Sequence, residues 1–350
     1  MDKTSILAIT KNGVKIGENL KKIFPDWRIF APSKFSNDEN EIVWYSEPTS
    51  EKIVELFKNS NALICLFSLG AVIRLIAPHL KNKKTDPAVI VIDDKTNFVI
   101  SVLSGHIGGA NELTQEIAEK LHALPVITTA ADVNKTIAVD LVGREFGWRI
   151  EDDFNVTKIS AHMVNEEPIG IFQEAGNQNW YKELPKNVLI YENLDDLKQS
   201  NSKGYLIISD RIIDKGLSKE FVIYRPPSLV IGIGLHWDTT KETIKEGIES
   251  CLDKFNLSSK SIAKLVSIKK QQDVQGLIEL GEEMKIPVEY VNREELDEIS
   301  TPNPSDTVKV FEGTASVSEA AAIKVSGGEL IVEKQKFPPN LTIAIARVLN

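Results

Sequence analysis

The sequence predicts an α/β protein with an open, mostly parallel sheet in an N-terminal domain, a small α+β middle region and a second α/β domain at the C-terminus. Short apolar runs alternate with helically periodic segments in the first third and again in the last third of the chain, as in βαβ units. The middle is less regular, with Asn, Gly and Lys frequent between short strands. Tandem prolines in Arg225-Pro-Pro-Ser228 forbid a helix and indicate a linker. We therefore expect domains at residues 1–136, 137–225 and 229–350.

The N-terminal domain is predicted to begin with a strand and to continue as a succession of helices and strands. Helical spacing of apolar residues indicates the helices, and short continuous apolar runs indicate buried strands. Pro78 stops one helix because its ring excludes the next helical turn. The predicted strands are residues 5–9, 62–67, 88–92, 98–103 and 125–129, and the predicted helices are residues 14–24, 53–57, 71–77 and 112–121.

The same criteria give the elements of the other two domains. For the middle region they predict a helix at residues 139–146 and strands at residues 167–172, 188–191 and 205–209. For the C-terminal domain they predict strands at residues 229–234, 264–268, 288–290, 330–334 and 341–347, with helices at residues 241–255, 272–284 and 316–325. The alanine-rich last helix is predicted to end at Gly327 and Gly328.

Composition excludes several classes of function. A net charge of −9 argues against a duplex nucleic-acid partner, although a locally basic pocket can still hold an anionic small molecule. The two cysteines, Cys65 and Cys251, lie in segments predicted to be buried, so neither a disulfide framework nor a cysteine zinc site is expected. The chain has neither a signal-like start nor an apolar run of ~18 residues, so we expect a cytoplasmic protein without membrane contact.

The strongest chemical motif is Leu103-Ser-Gly-His-Ile-Gly-Gly-Ala-Asn111, where a strand turns into a helix. Gly105, Gly108 and Gly109 permit positive φ and close backbone approach, and the helix N-terminus suits a carboxylate, a phosphate or an oxyanion. His106 titrates near neutral pH and could act as general base or acid, while Ser104 could position or attack a substrate oxygen. The alternative is a tight turn whose histidine only bonds locally.

Two further turns are candidates for the same crevice. In Leu69-Gly-Ala-Val-Ile-Arg74, Gly70 leads a strand into a helix that carries Arg74, a residue suited to binding a carboxylate. In Thr128-Thr-Ala-Ala-Asp132, Thr129 and Asp132 follow the next strand. Because ligands of open α/β sheets bind at the carboxyl ends of the strands, we expect these turns to converge on the His106 turn. The alternatives are a solvated arginine and an ordinary helix cap.

Other ligand motifs are weak or missing in the sequence. Gly232-Ile-Gly234 lacks the third glycine of a dinucleotide-binding turn, and no phosphate loop of the G-x-x-x-x-G-K-[ST] type occurs. The five histidines show no metal-ligand spacing. We therefore expect neither a nucleotide cofactor nor a metal held by the protein.

Taken together, these motifs resemble the cobalt-precorrin-5A hydrolase family of oxygen-independent cobalamin (vitamin B12) biosynthesis. The matching residues bracket nearly the whole chain in the family's order. One departure follows Gly234, where this chain has Leu235-His-Trp-Asp238 instead of the cysteine and basic residues expected in the family. The resemblance rests on Leu69–Pro78, Asp86–Pro87, Leu103–Asn111, Thr128–Asp132, Val230–Gly234, Val317–Ala322 and Leu341–Arg347.

The resemblance implies hydrolysis of a δ-lactone on a cobalt-corrinoid ring, with loss of a two-carbon fragment as acetaldehyde to give cobalt-precorrin-5B. Such chemistry needs a base and donors for an oxyanion, for which we expect His106 and the amides around Gly108, Gly109 and Ala110. Arg74, Lys135 and Arg144 are candidate anchors for the carboxylates of the substrate, and Asn111, Thr129 and Asp132 are candidate substrate-binding residues. Cobalt would enter as part of the substrate, so no cofactor is expected.

Two other functions also fit these residues. One is a non-catalytic corrinoid carrier that hands an intermediate to a methyltransferase of the same pathway. The other is an α/β enzyme that binds a phosphate ligand at the same helix N-terminus. The carrier would bind corrinoid without releasing acetaldehyde, and the phosphate enzyme would be stabilised by nucleotides. A homodimer is also compatible with the sequence.

Overall fold

The structure is a computed structural model that describes residues 3–36, 41–213, 216–272 and 274–349. The chain forms two compact units, Met1–Leu141 and Val142–Asn350. The first unit contains one sheet, and the second contains two. These mixed, mostly parallel sheets with helices between the strands confirm the predicted α/β class.

The first unit is built on a seven-stranded sheet. Four of its connections contain helices, and its strands follow the spatial order β3-β2-β1-β4-β5-β6-β7. The strands are β1 (Thr4–Ala8), β2 (Arg28–Pro32), β3 (Ile42–Tyr45), β4 (Ala62–Leu66), β5 (Ala88–Ile92), β6 (Phe98–Leu103) and β7 (Leu124–Val126). The helices are α1 (Lys11–Ile23), α2 (Thr49–Asn59), α3 (Leu69–Ile76), α4 (Ala110–Leu121) and α5 (Ala130–Val133).

Helices cover both faces of this sheet, which explains why its central strands are apolar at every position. On one face, Ile6 and Ile64 pack in one core with residues of α1 and α4. On the other face, Leu7 and Leu63 pack in a second core with residues of α2 and α3. Successive strand side chains point to opposite faces, so a strand buried on both sides needs a continuous apolar run.

One strand pair breaks the parallel order, and it determines where the candidate site lies. β5 and β6 are antiparallel, with Val89 paired to Leu103 and Ile92 paired to Val99. The five residues between them form a short turn, in which the Asp93 carboxylate accepts a hydrogen bond from the Phe98 amide at 2.6 Å. Five residues are too few for the crossover that a parallel pair needs, so this connection joins antiparallel strands.

The second unit begins with the middle sheet, which has the order β10-β9-β11-β12-β8 and is parallel except for the edge strand β8. Its strands are β8 (Arg149–Ile150), β9 (Ile169–Gln173), β10 (Val188–Tyr191), β11 (Gly204–Ile208) and β12 (Glu220–Arg225), and its helices are α6 (Val156–Val164) and α7 (Leu194–Gln199). The predicted helix 139–146 is wrong. Gly143 and Gly147 both have positive φ there, and only the short 3₁₀ turn Arg144–Phe146 lies between them.

The C-terminal sheet has the order β15-β14-β13-β17-β16. Strands β13, β14 and β15 are parallel, whereas β16 and β17 form an antiparallel edge. Its strands are β13 (Leu229–Leu235), β14 (Ile262–Ile268), β15 (Val288–Val291), β16 (Leu330–Phe337) and β17 (Leu341–Arg347). Its helices are α8 (Lys241–Lys254), α9 (Gln275–Met284), α10 (Arg293–Asp297), α11 (Asp306–Glu312) and α12 (Ser318–Ser326).

A buried ion pair joins the middle sheet to the C-terminal sheet within the second unit. Asp210 is fully buried and accepts hydrogen bonds from Arg347 Nε and Nη2, both at 2.7 Å. Ser228 Oγ donates to the same carboxylate at 2.8 Å. Breaking such a pair leaves an uncompensated buried charge, which typically costs about 3–5 kcal/mol.

The Gly232-Ile-Gly234 segment of β13 serves packing. A Cβ on Gly232 would overlap the carbonyl oxygen of Ser318 on α12, and a Cβ on Gly234 would overlap Thr342 Oγ1 on β17. These glycines therefore allow α12 and β17 to approach β13 closely. The weak dinucleotide-binding interpretation of this pair is not needed to explain it.

We expect Gly232→Ala to destabilise the second unit by about 3 kcal/mol, because the new methyl group meets a backbone oxygen that cannot rotate away. Gly70→Ala is the matched control, since a Cβ at Gly70 has no neighbour within 4 Å. Its stability should stay within about 1 kcal/mol of wild type and tend upward, as alanine favours helices. Urea unfolding followed by circular dichroism measures both, and equal stability of the two variants would contradict the packing role.

Candidate active site at the His106 turn

The turn between β6 and α4 is fixed by its own backbone. Ser104 has φ of 58° and Gly109 has φ of 80°, and both are conformations that most residues avoid. The Gly109 amide donates to the His106 carbonyl, the Ala110 amide to the Ser104 carbonyl and the Asn111 amide to the Gly105 carbonyl, at 2.8, 3.1 and 3.0 Å. The turn is therefore closed by three hydrogen bonds within the eight residues 104–111.

Two glycines of the turn are required by close contacts. A Cβ on Gly105 would lie 2.6 Å from Asn111 Oδ1, and a Cβ on Gly108 would overlap the side chain of Ser104. Any larger residue would force the turn open. This compactness aims the His106 side chain away from the turn and toward the segment that follows β7.

Asn111 connects the turn to the neighbouring strands. Its side chain is 5% exposed, so each of its polar atoms needs a partner. Ser101 Oγ donates to Asn111 Oδ1 at 2.6 Å. Asn111 Nδ2 donates to Thr129 Oγ1 at 2.9 Å and to Asp132 Oδ2 at 2.8 Å. The residues predicted after β6 and after β7 are thus brought together as expected.

His106 lies between two carboxylates. Its Nε2 is 3.1 Å from Asp132 Oδ2, and its Nδ1 is 3.1 Å from Asp140 Oδ1. The exposed fractions of the three side chains are 17% for His106, 37% for Asp132 and 16% for Asp140. The site is a half-buried carboxylate–imidazole–carboxylate cluster on the first unit.

His106 and Asp140 shift each other's pKa. The hydrogen bond to Asp140 is the largest cause that raises the pKa of His106, and it outweighs the opposing effect of burial. Burial alone would raise the pKa of Asp140, but the hydrogen bond and charge of His106 hold that pKa below its ordinary value. The charge of Lys83 lowers the pKa of Asp140 further. The cluster therefore favours an imidazolium paired with a carboxylate.

Ser104 has a structural partner. Its Oγ donates its single proton to the Asp86 carbonyl oxygen at 2.9 Å, just before β5 begins. A serine nucleophile would need to give that proton to a base, whereas here the proton goes to a backbone carbonyl oxygen. The geometry therefore favours a role for Ser104 in holding the turn over one in attacking the substrate.

The expected convergence of the Gly70 turn with this site is wrong. Gly70 follows β4, and β4 and β5 are parallel. Because β6 runs antiparallel to β5, the His106 turn lies at the opposite edge of the sheet, where β5 begins. Arg74 lies in the last turn of α3, is exposed, and forms no hydrogen bond or ion pair with any residue that the structure describes.

The backbone amides available to bind an oxyanion also differ from those expected. The amides of Gly109 and Ala110 already donate within the turn, so neither is available in this geometry. The Gly108 amide has no acceptor within the described part of the chain. Lys135 is exposed three residues after Asp132, whereas Arg144 belongs to the second unit.

Three further observations bear on cofactors and surroundings. Cys65 and Cys251 are both free and buried. Among residues 3–36, 41–213, 216–272 and 274–349, no group of three or more His, Cys, Asp or Glu side chains could hold a metal ion. None of the helices in those ranges combines the length and the apolar character that crossing a membrane requires.

Comparison with known proteins places the chain in a family. Family models match three successive stretches: cobalamin synthesis G N-terminal at residues 51–132, the cobalamin biosynthesis central region at residues 137–226, and cobalamin synthesis G C-terminus at residues 229–346. The cobalt-precorrin-5A hydrolase of Priestia megaterium is 42% identical over 353 residues, covering 98% of this chain and 94% of that protein. The chain belongs to the cobalt-precorrin-5A hydrolase family.

Other similar proteins are more distant. The cobalt-precorrin-5A hydrolase of Salmonella typhimurium is 29% identical over 337 residues, which cover 94% of this chain and 93% of that protein. A crystal structure of a cobalamin biosynthesis protein G homologue from Sulfolobus solfataricus is 25% identical and covers 99% of this chain and 98% of its own, with a TM-score of 0.39. The family resemblance inferred from the sequence motifs is confirmed.

Asp140 is the site residue of this family member that sequence reasoning missed. The expected domain boundary at residue 136 assigned it to the middle region, inside a helix that does not exist. It belongs instead to the first unit, which extends to Leu141. A usable signal was present, because Asp140 is the lone carboxylate in the otherwise apolar run Ile137–Val142.

The His106–Asp140 pair should make folding stability depend on pH. Because the folded-state pKa of His106 is raised, its contribution is full below about pH 6.5 and is lost as pH rises through the folded pKa. The contribution of Asp140 is present above its ordinary pKa and is lost as pH falls through the lowered one. Urea unfolding should therefore show a larger stability loss for His106→Ala at about pH 5.5 than at about pH 9.

The double variant His106→Ala/Asp140→Asn is the control for this pH effect. Its stability should vary with pH about as the His106→Ala stability does between about pH 5.5 and about pH 9, since the pair is already broken. If His106→Ala cost the same at both pH values, the pair would contribute nothing to folding.

Proposed function

We propose that this chain is a cobalt-precorrin-5A hydrolase and that His106 transfers the protons of lactone opening. Membership of the family is the observation that carries the activity. The site is assigned by the clustering of His106, Asn111, Thr129 and Asp132 at one edge of the first sheet. The reaction opens the δ-lactone of the corrinoid and releases acetaldehyde to give cobalt-precorrin-5B.

The chemistry requires one group that both accepts and returns a proton. Water adds its oxygen to the lactone carbonyl carbon and gives a proton to the imidazole, and the ring C–O bond then breaks. The leaving oxygen takes that proton, so a carboxyl group and a hydroxyl group result. Histidine suits both steps because its pKa lies near the working pH. Acetaldehyde then leaves when the C–C bond between the hydroxyl-bearing carbon and the ring breaks: the hydroxyl oxygen becomes the aldehyde carbonyl, and the electron pair of the broken bond takes up a proton on the ring.

The tetrahedral intermediate needs a hydrogen-bond donor near its oxyanion. We assign the Gly108 amide to this role, because it lies two residues from His106 and its N–H is not used within the turn. The positive end of α4 adds to the effect, since this helix begins at Ala110.

Cations near the site would bind the carboxylates of the corrinoid. Lys83 is exposed, and its charge reaches Asp140, while Lys135 is exposed beside Asp132 in the chain. Both lysines can move their ammonium groups on long side chains, which suits a substrate whose carboxylates are spread over a ring. Gly70 and Arg74 are not part of this proposed site.

The remaining assignments follow from this function. We propose that cobalt enters as part of the substrate and that the protein holds no cofactor of its own. A cytoplasmic location agrees with two free cysteines, because reducing compartments keep thiols unpaired. A neighbouring methyltransferase of the pathway is the partner that we propose for passing on the corrinoid.

Incubating purified protein with cobalt-precorrin-5A tests the function directly. We expect acetaldehyde to be released in a one-to-one ratio to a product whose mass matches cobalt-precorrin-5B. Tight corrinoid binding with no acetaldehyde would identify a carrier instead. Thermal stabilisation by nucleotides, with no effect of corrinoid, would point to a phosphate-ligand enzyme.

Two variants separate the roles within the turn. His106→Ala should lower kcat by about 10²–10⁴-fold, because general acid–base catalysis is lost. Ser104→Ala should keep kcat within about tenfold of wild type, because it loses only a hydrogen bond worth about 1 kcal/mol. His236→Ala is the matched control, since His236 is exposed in the C-terminal domain and its variant should retain wild-type kcat.

Acetaldehyde release measured under saturating substrate distinguishes these outcomes. A His106→Ala variant with unimpaired lactone opening would remove His106 from the mechanism. A Ser104→Ala variant as inactive as His106→Ala would restore serine as a candidate nucleophile.

A further inference from the structure

The contacts of His106 favour a form that cannot act as a base. Nδ1 faces Asp140 and Nε2 faces Asp132, and carboxylate oxygens only accept hydrogen bonds. This arrangement favours the imidazolium, which can give a proton but cannot take one. Accepting a proton from water requires one of the two contacts to open.

The two carboxylates differ in how easily they can move away from the His106 ring. The Asp140 side chain is 16% exposed and the Asp132 side chain is 37% exposed, so the Asp140 ion pair is better shielded from water. Asp132 Oδ2 also accepts from Asn111 Nδ2 at 2.8 Å, and this bond remains when the histidine contact is lost. The Asp132 contact is thus the weaker and the more accessible one.

We propose that Asp140 is the positioning residue of His106, holding the Nδ1 proton while the substrate and its attacking water displace Asp132 from Nε2. This inference rests on the proposed lactone-opening function. A histidine whose Nδ1 donates to a carboxylate is fixed in the tautomer that leaves an Nε2 lone pair. A base oriented by a third group in this way recurs in nucleophilic and hydrolytic sites.

The proton balance follows from this arrangement. When water attacks the lactone carbonyl carbon, its proton moves to Nε2 and the imidazole becomes an imidazolium. When the ring C–O bond breaks, the leaving oxygen takes the Nε2 proton and the imidazole is neutral again. Asp140 accepts the Nδ1 hydrogen bond throughout and stabilises the imidazolium without itself being protonated.

The charged groups around His106 set its pH dependence. Asp132 and Asp140 face it from the segment of residues 130–140, and both favour the imidazolium. Lys83 acts on it indirectly, through Asp140. Removing either carboxylate should therefore lower the pH at which neutral His106 forms.

Isosteric asparagine variants test the unequal roles. Asp140→Asn should lower kcat by at least about 10²-fold, because the amide can donate to Nδ1 and stabilise the wrong tautomer. Asp132→Asn should lower kcat by a smaller factor than Asp140→Asn does, while the rise of kcat/KM with pH moves to lower pH. Asp238→Asn is the matched control, since Asp238 is the exposed partner of His236 and lies in the C-terminal domain.

Nitrogen-15 NMR of the imidazole of His106 gives a readout that does not need turnover. Above its pKa, wild-type and Asp132→Asn protein should show the proton on Nδ1, and Asp140→Asn protein should show it on Nε2. A wild-type protein that leaves cobalt-precorrin-5A unchanged would defeat the proposed function, but the NMR result would still report on the positioning role. An Nδ1 proton retained in Asp140→Asn, or equal kcat losses in both variants, would overturn the inference.

Discussion

The antiparallel pairing of β6 with β5 is the constraint on which the candidate site depends. A five-residue turn reverses the chain after β5, so β6 ends where β5 begins. β7 then pairs parallel to β6, and the loop after β7 reaches the same edge. Ser104 bonds to Asp86 there, and Asp132 bonds to His106 and Asn111. A wholly parallel sheet would place these turns at the edge occupied by Gly70.

The buried amide of Asn111 holds the residues of the candidate site in the positions that this topology gives them. Its three side-chain hydrogen bonds link β6, the β6–α4 turn and the segment after β7, and a buried polar group is stable only when its bonds are made. The position of Asp132 relative to His106 is therefore set by Asn111, a residue that does not itself titrate. Gly105 is required for this arrangement, because any side chain there would displace Asn111.

The sequence predicted the elements with strong patterns and missed those that depend on pairing. The apolar runs at 62–66 and 88–92 were recognisable because both faces of the sheet are covered. Strands β2 and β3 were not predicted, since one ends in proline and the other has only four residues. The turn chemistry predicted the histidine, the amide and the first carboxylate that the structure brings together in the candidate site. The convergence with Gly70 failed because strand direction was not deduced from the short turn before β6, and Asp140 was missed because it lay inside the wrongly predicted helix 139–146.

The negative charge of the substrate carboxylates also affects the protonation of His106. Carboxylates close to His106 would favour the imidazolium still more and so oppose the base form that lactone opening needs. Displacing Asp132 removes one such carboxylate from Nε2, whereas the carboxylates of the corrinoid must be held elsewhere. Lys83 and Lys135 offer that alternative, since both are exposed on the first unit and neither needs to contact the imidazole. A neutral lactone can then approach Nε2 while the charged rim of the ring binds to the lysines.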